Sequence, residues 1–151
     1  MKKSRLLELA GVPVDRQVTL TEKFEITTDE ERGVVNAFVC RALFAVMQVH
    51  LWHLQTGSFA EHMAIGEFYE TLDSKTDAVA EQFIGVGGVI KAGESYKLVD
   101  YSKEAVRNLV DEIGKLAAST VDNVNGTGTI TVTLEEIEAL AAKTLFKLRY
   151  P

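Results

Sequence analysis

Apolar residues recur at helical spacing along four separate stretches of this chain, and polar residues fall between them where helices begin and end. From Glu30 to about Thr56 there is no proline, and Val35, Phe38, Ala42, Val46, Val49 and His53 return every three or four positions, the repeat of one helix face. Val34, Val39, Leu43, Phe44, Leu51 and Trp52 widen that stripe until the helix is apolar on most sides, which marks it as central. Ahead of it, Thr28-Asp-Glu-Glu31 reads as a capping box, in which a hydroxyl and a carboxylate satisfy the N–H groups that a helix start leaves free. Gly57-Ser58 breaks the pattern, and Ser58 is placed to cap a second helix with the apolar row Ile65, Phe68, Leu72, Val79 and Phe83. That helix runs to about Ile84 and stops at Gly85-Val-Gly-Gly88.

A connection of about seventeen residues follows, from Gly85 to Tyr101. It is longer than a link between adjacent antiparallel helices needs to be and long enough to cross a bundle. Ser102 caps a third helix, with Val106, Leu109, Val110, Ile113, Leu116, Ala117 and Val121 on its apolar face and its end near Asn125-Gly126. Thr127 to Val132 is β-branched, a connection with the composition of a minor strand. Thr133-Leu-Glu-Glu136 is a second capping box, opening a fourth helix with Ile137, Leu140, Ala141, Leu145 and Leu148. Short, long and short connections predict an all-α, up-down-down-up four-helix bundle over residues 29–151, with one long crossover between the second and third helices. Residues 1–28 form a leader, in which residues 4–10 have the pattern of a short helix stopped by Gly11 and Pro13.

Composition changes this picture little. The chain is 46% hydrophobic and 25% charged with two prolines, as in a globular domain and unlike a disordered one. A net charge of -6 argues against nucleic acid as a partner, since Lys and Arg must neutralise phosphates. No stretch reads as the roughly 18 apolar residues of a membrane span, and Leu6-Leu7-Glu8-Leu9 is too short and too charged for a secretory segment. A cytoplasmic protein without a membrane partner is expected. The single cysteine, Cys40, sits among Val39, Ala42 and Leu43 and reads as a small buried residue.

The candidate chemistry is concentrated on the first two helices. All three histidines, His50, His53 and His62, fall within thirteen residues, and Asp77 and Glu81 lie i, i+4 on the second helix. In a hairpin turning near Gly57, His53 and His62 stand at nearly equal distances from the turn and are the pair set to meet. His50, one turn deeper, opposes a residue near Ile65. Along the second helix His62, Gly66, Tyr69, Asp73 and Asp77, with Glu81 one step on, form a polar row. Imidazoles and carboxylates of this kind suit iron, with manganese or zinc as alternatives. Asp77 is fifteen residues from His62, roughly 22 Å along a helix, so the two meet only across a two-fold axis that brings His62 of one subunit toward Asp77 and Glu81 of another. The bland alternative is that the histidines are satisfied or exposed near a turn and the carboxylates a solvated face. A di-iron site of the Glu-x-x-His kind is absent, because Met47, His50 and Phe59 stand three before the histidines. Gly85-Val-Gly-Gly88 has no Lys-Ser/Thr partner for a phosphate loop.

Trp52 through Gly88, with Phe59, His62, Phe68, Asp77-x-x-x-Glu81 and the final Gly-Gly, resembles the Dps family, the miniferritins of the ferritin-like superfamily. Glu135-Glu136 through Leu145-Phe-Lys-Leu-Arg149 resembles the last Dps helix. The likeness is closer still to small uncharacterised Dps-like proteins of phage and marine metagenomic origin, which share His-Leu-Gln-Thr-x-Ser followed by His. The resemblance implies a ferritin-like fold, a homo-oligomer built through two-fold contacts up to a dodecameric cage, and an inter-subunit ferroxidase site that oxidises Fe(II) for iron storage or peroxide detoxification. It places His62, Asp77 and Glu81 at ligand positions. For the first-helix ligand, His53 fits the hairpin register and His50 keeps the Dps interval to the second histidine. Gly66 departs from the pattern by standing where Dps has a carboxylate. Glu67 lies on the wrong side of the helix to replace it, and Glu70 is one turn further on. The other reading is a non-enzymatic bundle with an incomplete metal site, kept for assembly or partner binding.

Overall fold

The computed structural model describes residues 28–124 and 128–150, so the expectations for the N-terminal leader and for residues 125–127 lie outside the described residues. Among the described residues there are four helices, α1 (Asp29–Gln55), α2 (Phe59–Gly85), α3 (Lys103–Asn123) and α4 (Thr129–Lys147). Each of α1, α2 and α4 packs on two neighbours, and so does α3. The pairs α1/α2, α3/α4, α2/α4 and α1/α3 are in contact, the square arrangement of a four-helix bundle.

Local chemistry explains the starts and stops. Thr28 and Glu31 form the capping box, with the Glu31 N–H donating to Thr28 Oγ1 at 3.1 Å and the Thr28 N–H to Glu31 Oε2 at 3.0 Å. Ser58 and Ser102 each accept a backbone N–H at the starts of α2 and α3. At the end of α2, Gly87 has φ +88°, a left-handed conformation that an L side chain rarely adopts. It lets the N–H groups of Gly87 and Gly88 turn back to the carbonyls of Ile84 and Phe83.

The fourth helix corrects the reading of the β-branched run. It begins at Thr129, capped by Gly128 without a side-chain bond, and Thr133 lies inside it, its hydroxyl donating to the Thr129 carbonyl at 2.9 Å. The second capping box is therefore not formed. Ile130, Thr133, Leu134 and Ile137 are all buried. Their spacing along one face outweighs the modest helix penalty of Thr, Ile and Val, at most about 0.7 kcal/mol per residue.

The apolar rows expected for α2 and α3 are in the core, with Ile65, Phe68, Leu72, Val79, Val110, Ile113 and Ala117 fully buried. Helix α1 is a different case. By length and composition it is apolar enough to cross a membrane, contrary to the expectation that no stretch qualifies, yet only 39% of its most apolar window is buried. Leu43, Met47 and Leu54 are exposed on it.

The crossover, residues 86–102, lies along α1. Three amide side chains of that helix hold it. Asn36 exchanges two hydrogen bonds with the backbone of Lys91, and Gln48, 1% exposed, does the same with Val99 at 2.8 Å each way. Gln55 accepts from the Tyr101 N–H at 2.9 Å and donates to Asp100. The Asn36 and Gln48 amides mimic the donor and acceptor of a neighbouring strand, so an extended segment is satisfied there without a sheet. Phe44 stacks on Tyr96, and Arg41 lies over both rings while pairing with Glu112 of α3 through two nitrogens at 2.6 and 2.8 Å. Cys40 is half-buried rather than buried, with its thiol donating to the Lys91 carbonyl at 3.2 Å. The strap thus returns the chain to the end where α1 stops and α2 starts, and α3 runs parallel to α2.

Helix α4 packs antiparallel to α2, from Thr133 beside Gln82, through Lys75 with Glu136 at 2.5 Å, to Glu67 with Lys143 at 2.7 Å and with Lys147. Hydrogen bonds from Lys143 and then Lys147 hold the Glu67 carboxyl at about 2, down from 4.5. A carboxyl lowered on folding stabilises the fold above its unfolded pKa, and that contribution disappears as pH falls from about 4.5 toward 2. Glu67 is 43% exposed, so solvent screening limits the effect to about 0.2–1 kcal/mol. Glu67→Gln is expected to cost that much in urea unfolding at pH 7, a cost that shrinks as pH falls from about 4.5 toward 2.

Candidate functional site

The α1/α2 turn brings His53 and His62 face to face. Their ring centroids are 3.7 Å apart with 22° between planes, and the backbone interactions are reciprocal. His53 Nδ1 lies 2.9 Å from the His62 carbonyl oxygen, and His62 Nδ1 lies 2.9 Å from the His53 carbonyl oxygen. The His53 carbonyl is in the last turn of α1, where a helix leaves acceptors over, and the His62 ring supplies the missing donor.

A carbonyl oxygen only accepts, so each Nδ1 carries the hydrogen. In the neutral form this leaves the lone pair of each imidazole on Nε2, the arrangement in which metal-bound histidines are usually held, with the other ring nitrogen donating to a backbone carbonyl.

The direction of the side chains explains which residues meet. Helix side chains lean toward their own N-terminus, so rings on α1 lean away from the turn and rings on α2 lean toward it. His50 accordingly meets not the region of Ile65 but Tyr69, one turn further from the turn, with ring centroids 4.4 Å apart and planes at 11°. Tyr69 also meets His53 edge-on at 5.4 Å, and His50 stands 6.2 Å from His53. Tyr69 was visible in the sequence only as a member of the polar row; its part in the cluster follows from the tilt. Burial, and then the charge of Glu70, push its hydroxyl pKa up.

The His53 ring reaches α2 at Gly66. A Cβ on that residue would stand 3.0 Å from His53 Cε1 and 3.1 Å from Nδ1, so glycine is what lets the ring lie against the helix. The position that the Dps resemblance fills with a carboxylate is occupied by the neighbouring imidazole. Glu67, as expected, is turned to α4, and Glu70 is exposed.

Asp77 and Glu81 are both exposed on the far half of α2, and neither side chain has a hydrogen bond or ion pair among the described residues. Within one subunit they do not join the histidines. No group of three or more His, Cys, Asp or Glu able to hold a metal is gathered among the described residues.

A further polar cluster closes the same end of the bundle. Glu61 accepts from Thr56 Oγ1 at 2.9 Å and from the Tyr101 hydroxyl, joining the turn to the end of the crossover. Burial, followed by the Glu61 hydrogen bond, raises the Tyr101 pKa. Beside the histidine pair a cleft of about 710 Å³ opens between α2 and α4, with Met63, Glu67, Phe146 and Tyr150 on its walls.

A family model described as "Family of unknown function (DUF5856)" matches residues 53–148. The chain belongs to this family. The matched DUF5856 region takes in His53, His62, Gly66, Asp77 and Glu81 and begins after His50. No curated protein and no solved structure matches the chain.

Proposed function

We propose that this DUF5856 chain is a ferritin-like protein that binds Fe(II) and oxidises it at a site shared between two copies, leading to iron storage or peroxide detoxification. The observation that carries the reading is the reciprocal Nδ1–H to carbonyl pairing of His53 and His62, which holds both rings with Nε2 free to donate a lone pair. One subunit lacks a third ligand among its described residues, but the exposed Asp77 and Glu81 of a second copy supply oxygen donors. His53 and His62 of one copy, with His50 as the alternative first-helix ligand, and Asp77 and Glu81 of the other make a mixed N and O set suited to iron, with manganese or zinc as alternatives. The bundle with its long crossover has the helix order of ferritin-like proteins. With Gly66 in place of a carboxylate, the donor set fits one metal ion better than two.

Fe(II) titration without oxygen, followed by ferric absorbance on admitting air, tests this. Binding and a rate above the buffer control are expected, and His62→Ala and Glu81→Ala should each weaken binding about tenfold or more. No bound iron and no rate above the control overturns the function. A Glu81→Ala protein as active as the parent overturns the site.

A second reading, a non-enzymatic bundle that serves assembly or partner binding, is favoured by one observation. The His53 ring fills the space over Gly66, so the pair also works as a clasp that closes the hairpin.

A further inference from the structure

Helix α1 is more apolar than its own bundle requires. Leu43, Met47 and Leu54 are 45%, 59% and 71% exposed, and with the exposed His50 they form a row at i, i+4, i+7 and i+11 on a single face. This row is symmetric about its own centre, between Gln48 and Val49. Turned end for end, Leu43 falls on Leu54 and Met47 on His50. An isologous interface requires a patch that matches itself under such a rotation.

Helix α2 has the matching charge pattern beside it. The half near the turn holds His62, stacked on His53 of α1, while the far half holds exposed Asp73, Asp77 and Glu81. Midway between His62 and the Asp77/Glu81 pair lie Glu70 and Thr71, adjacent to Tyr69, whose ring stacks on His50 at the centre of the α1 row. The two helices therefore have their centres of symmetry at nearly the same height. One two-fold axis there pairs the apolar rows and sets the imidazole half of each copy against the carboxylate half of the other.

We propose that the Leu43–Met47–His50–Leu54 face of α1, with the adjoining face of α2, is the surface on which a second copy of this chain docks antiparallel. The acidic flank distinguishes this occupant from a membrane, since Asp73, Asp77 and Glu81 would be brought to a lipid surface without partners, whereas a second copy offers histidines. The inference uses the axis on which the iron reading rests, but assembly is measurable without metal.

The test is the mass of the full chain in chelator-treated buffer, by light scattering after size exclusion. The parent is expected to be a dimer or a larger even-numbered assembly, and Met47→Glu a monomer or an assembly of lower mass, with far-UV circular dichroism unchanged. Val132→Glu, at an exposed apolar position on α4, should leave the mass unaltered. A chain carrying both Leu43→Cys and Leu54→Cys should cross-link into dimers on oxidation while each single variant does not, because the two positions are too far apart on one helix to bridge within a chain. A monomeric parent, a Met47→Glu protein of parental mass, or double-cysteine chains that stay monomeric overturns the proposal. So does a monomer that instead sediments with phosphatidylcholine/phosphatidylglycerol vesicles through Met47. A metal-free dimer that binds no iron overturns the iron reading alone.

Discussion

Trp52→Ala is expected to lower stability by about 3–5 kcal/mol. The indole is 2% exposed in the core between α1 and the crossover, and its Nε1–H donates to the Val99 carbonyl at 2.9 Å. Truncation leaves a cavity and releases one of the bonds that keep the strap on α1. Trp52→Phe separates the two contributions. It keeps most of the apolar volume and loses only the N–H, and the Val99 carbonyl still accepts from Gln48, so about 1 kcal/mol is expected. Urea unfolding followed by far-UV circular dichroism measures both, since Trp52 is the only tryptophan and its fluorescence is lost with it. Equal losses for the two variants would show that burial of the ring contributes nothing beyond its hydrogen bond.

The four helices were legible because their apolar residues repeat at the spacing of a buried face and because Thr28, Ser58 and Ser102 are strong caps. The start of α4 was not, since Thr129 to Thr133 has the composition of a strand and only the burial of Ile130 and Thr133 against neighbouring helices makes it helical. Asn36, Gln48 and Gln55 are polar positions on an otherwise largely apolar helix. Their role depends on a segment some fifty residues away, a pairing no local pattern encodes. At the candidate site the hairpin register was enough to bring His53 to His62. It did not reveal the exchange of carbonyl bonds, and it misplaced the partner of His50 because a count of residues from a turn ignores the tilt of side chains along a helix. Gly66 was legible as a departure from a resemblance, while its physical reason, the His53 ring lying on the bare backbone, needed the packing of the two helices.

Gly66→Glu carries the most information about that packing. It adds the carboxylate that the Dps resemblance places there, on a buried residue whose Cβ would stand 3.0 Å from the His53 ring. The ring must leave, and with it go the bond from His53 Nδ1 to the His62 carbonyl and the stack that aligns His62 with the His53 carbonyl. Overpacking costs about 1–3 kcal/mol and the two broken, half-buried bonds add about 0.5–1.5 kcal/mol each, so a loss of about 3 kcal/mol is expected in urea unfolding. The slowly exchanging ring N–H proton resonances of both histidines should vanish together. Gly66→Ala is expected to be far milder, because a ring shift of a few tenths of an ångström makes room for one methyl group and alanine gains about 1 kcal/mol of helix propensity over glycine. The decisive comparison is His53→Ala combined with Gly66→Glu. If the imidazole is what excludes the carboxylate, the double variant recovers much of the stability lost in Gly66→Glu, a coupling between contacting residues that additive effects would not give. A Gly66→Glu chain as stable as the parent and faster with Fe(II) would mean that the ring moves aside without cost and that position 66 is an unfilled ligand position. Stability lost without recovery in the double variant would instead place the obstacle in the buried charge itself.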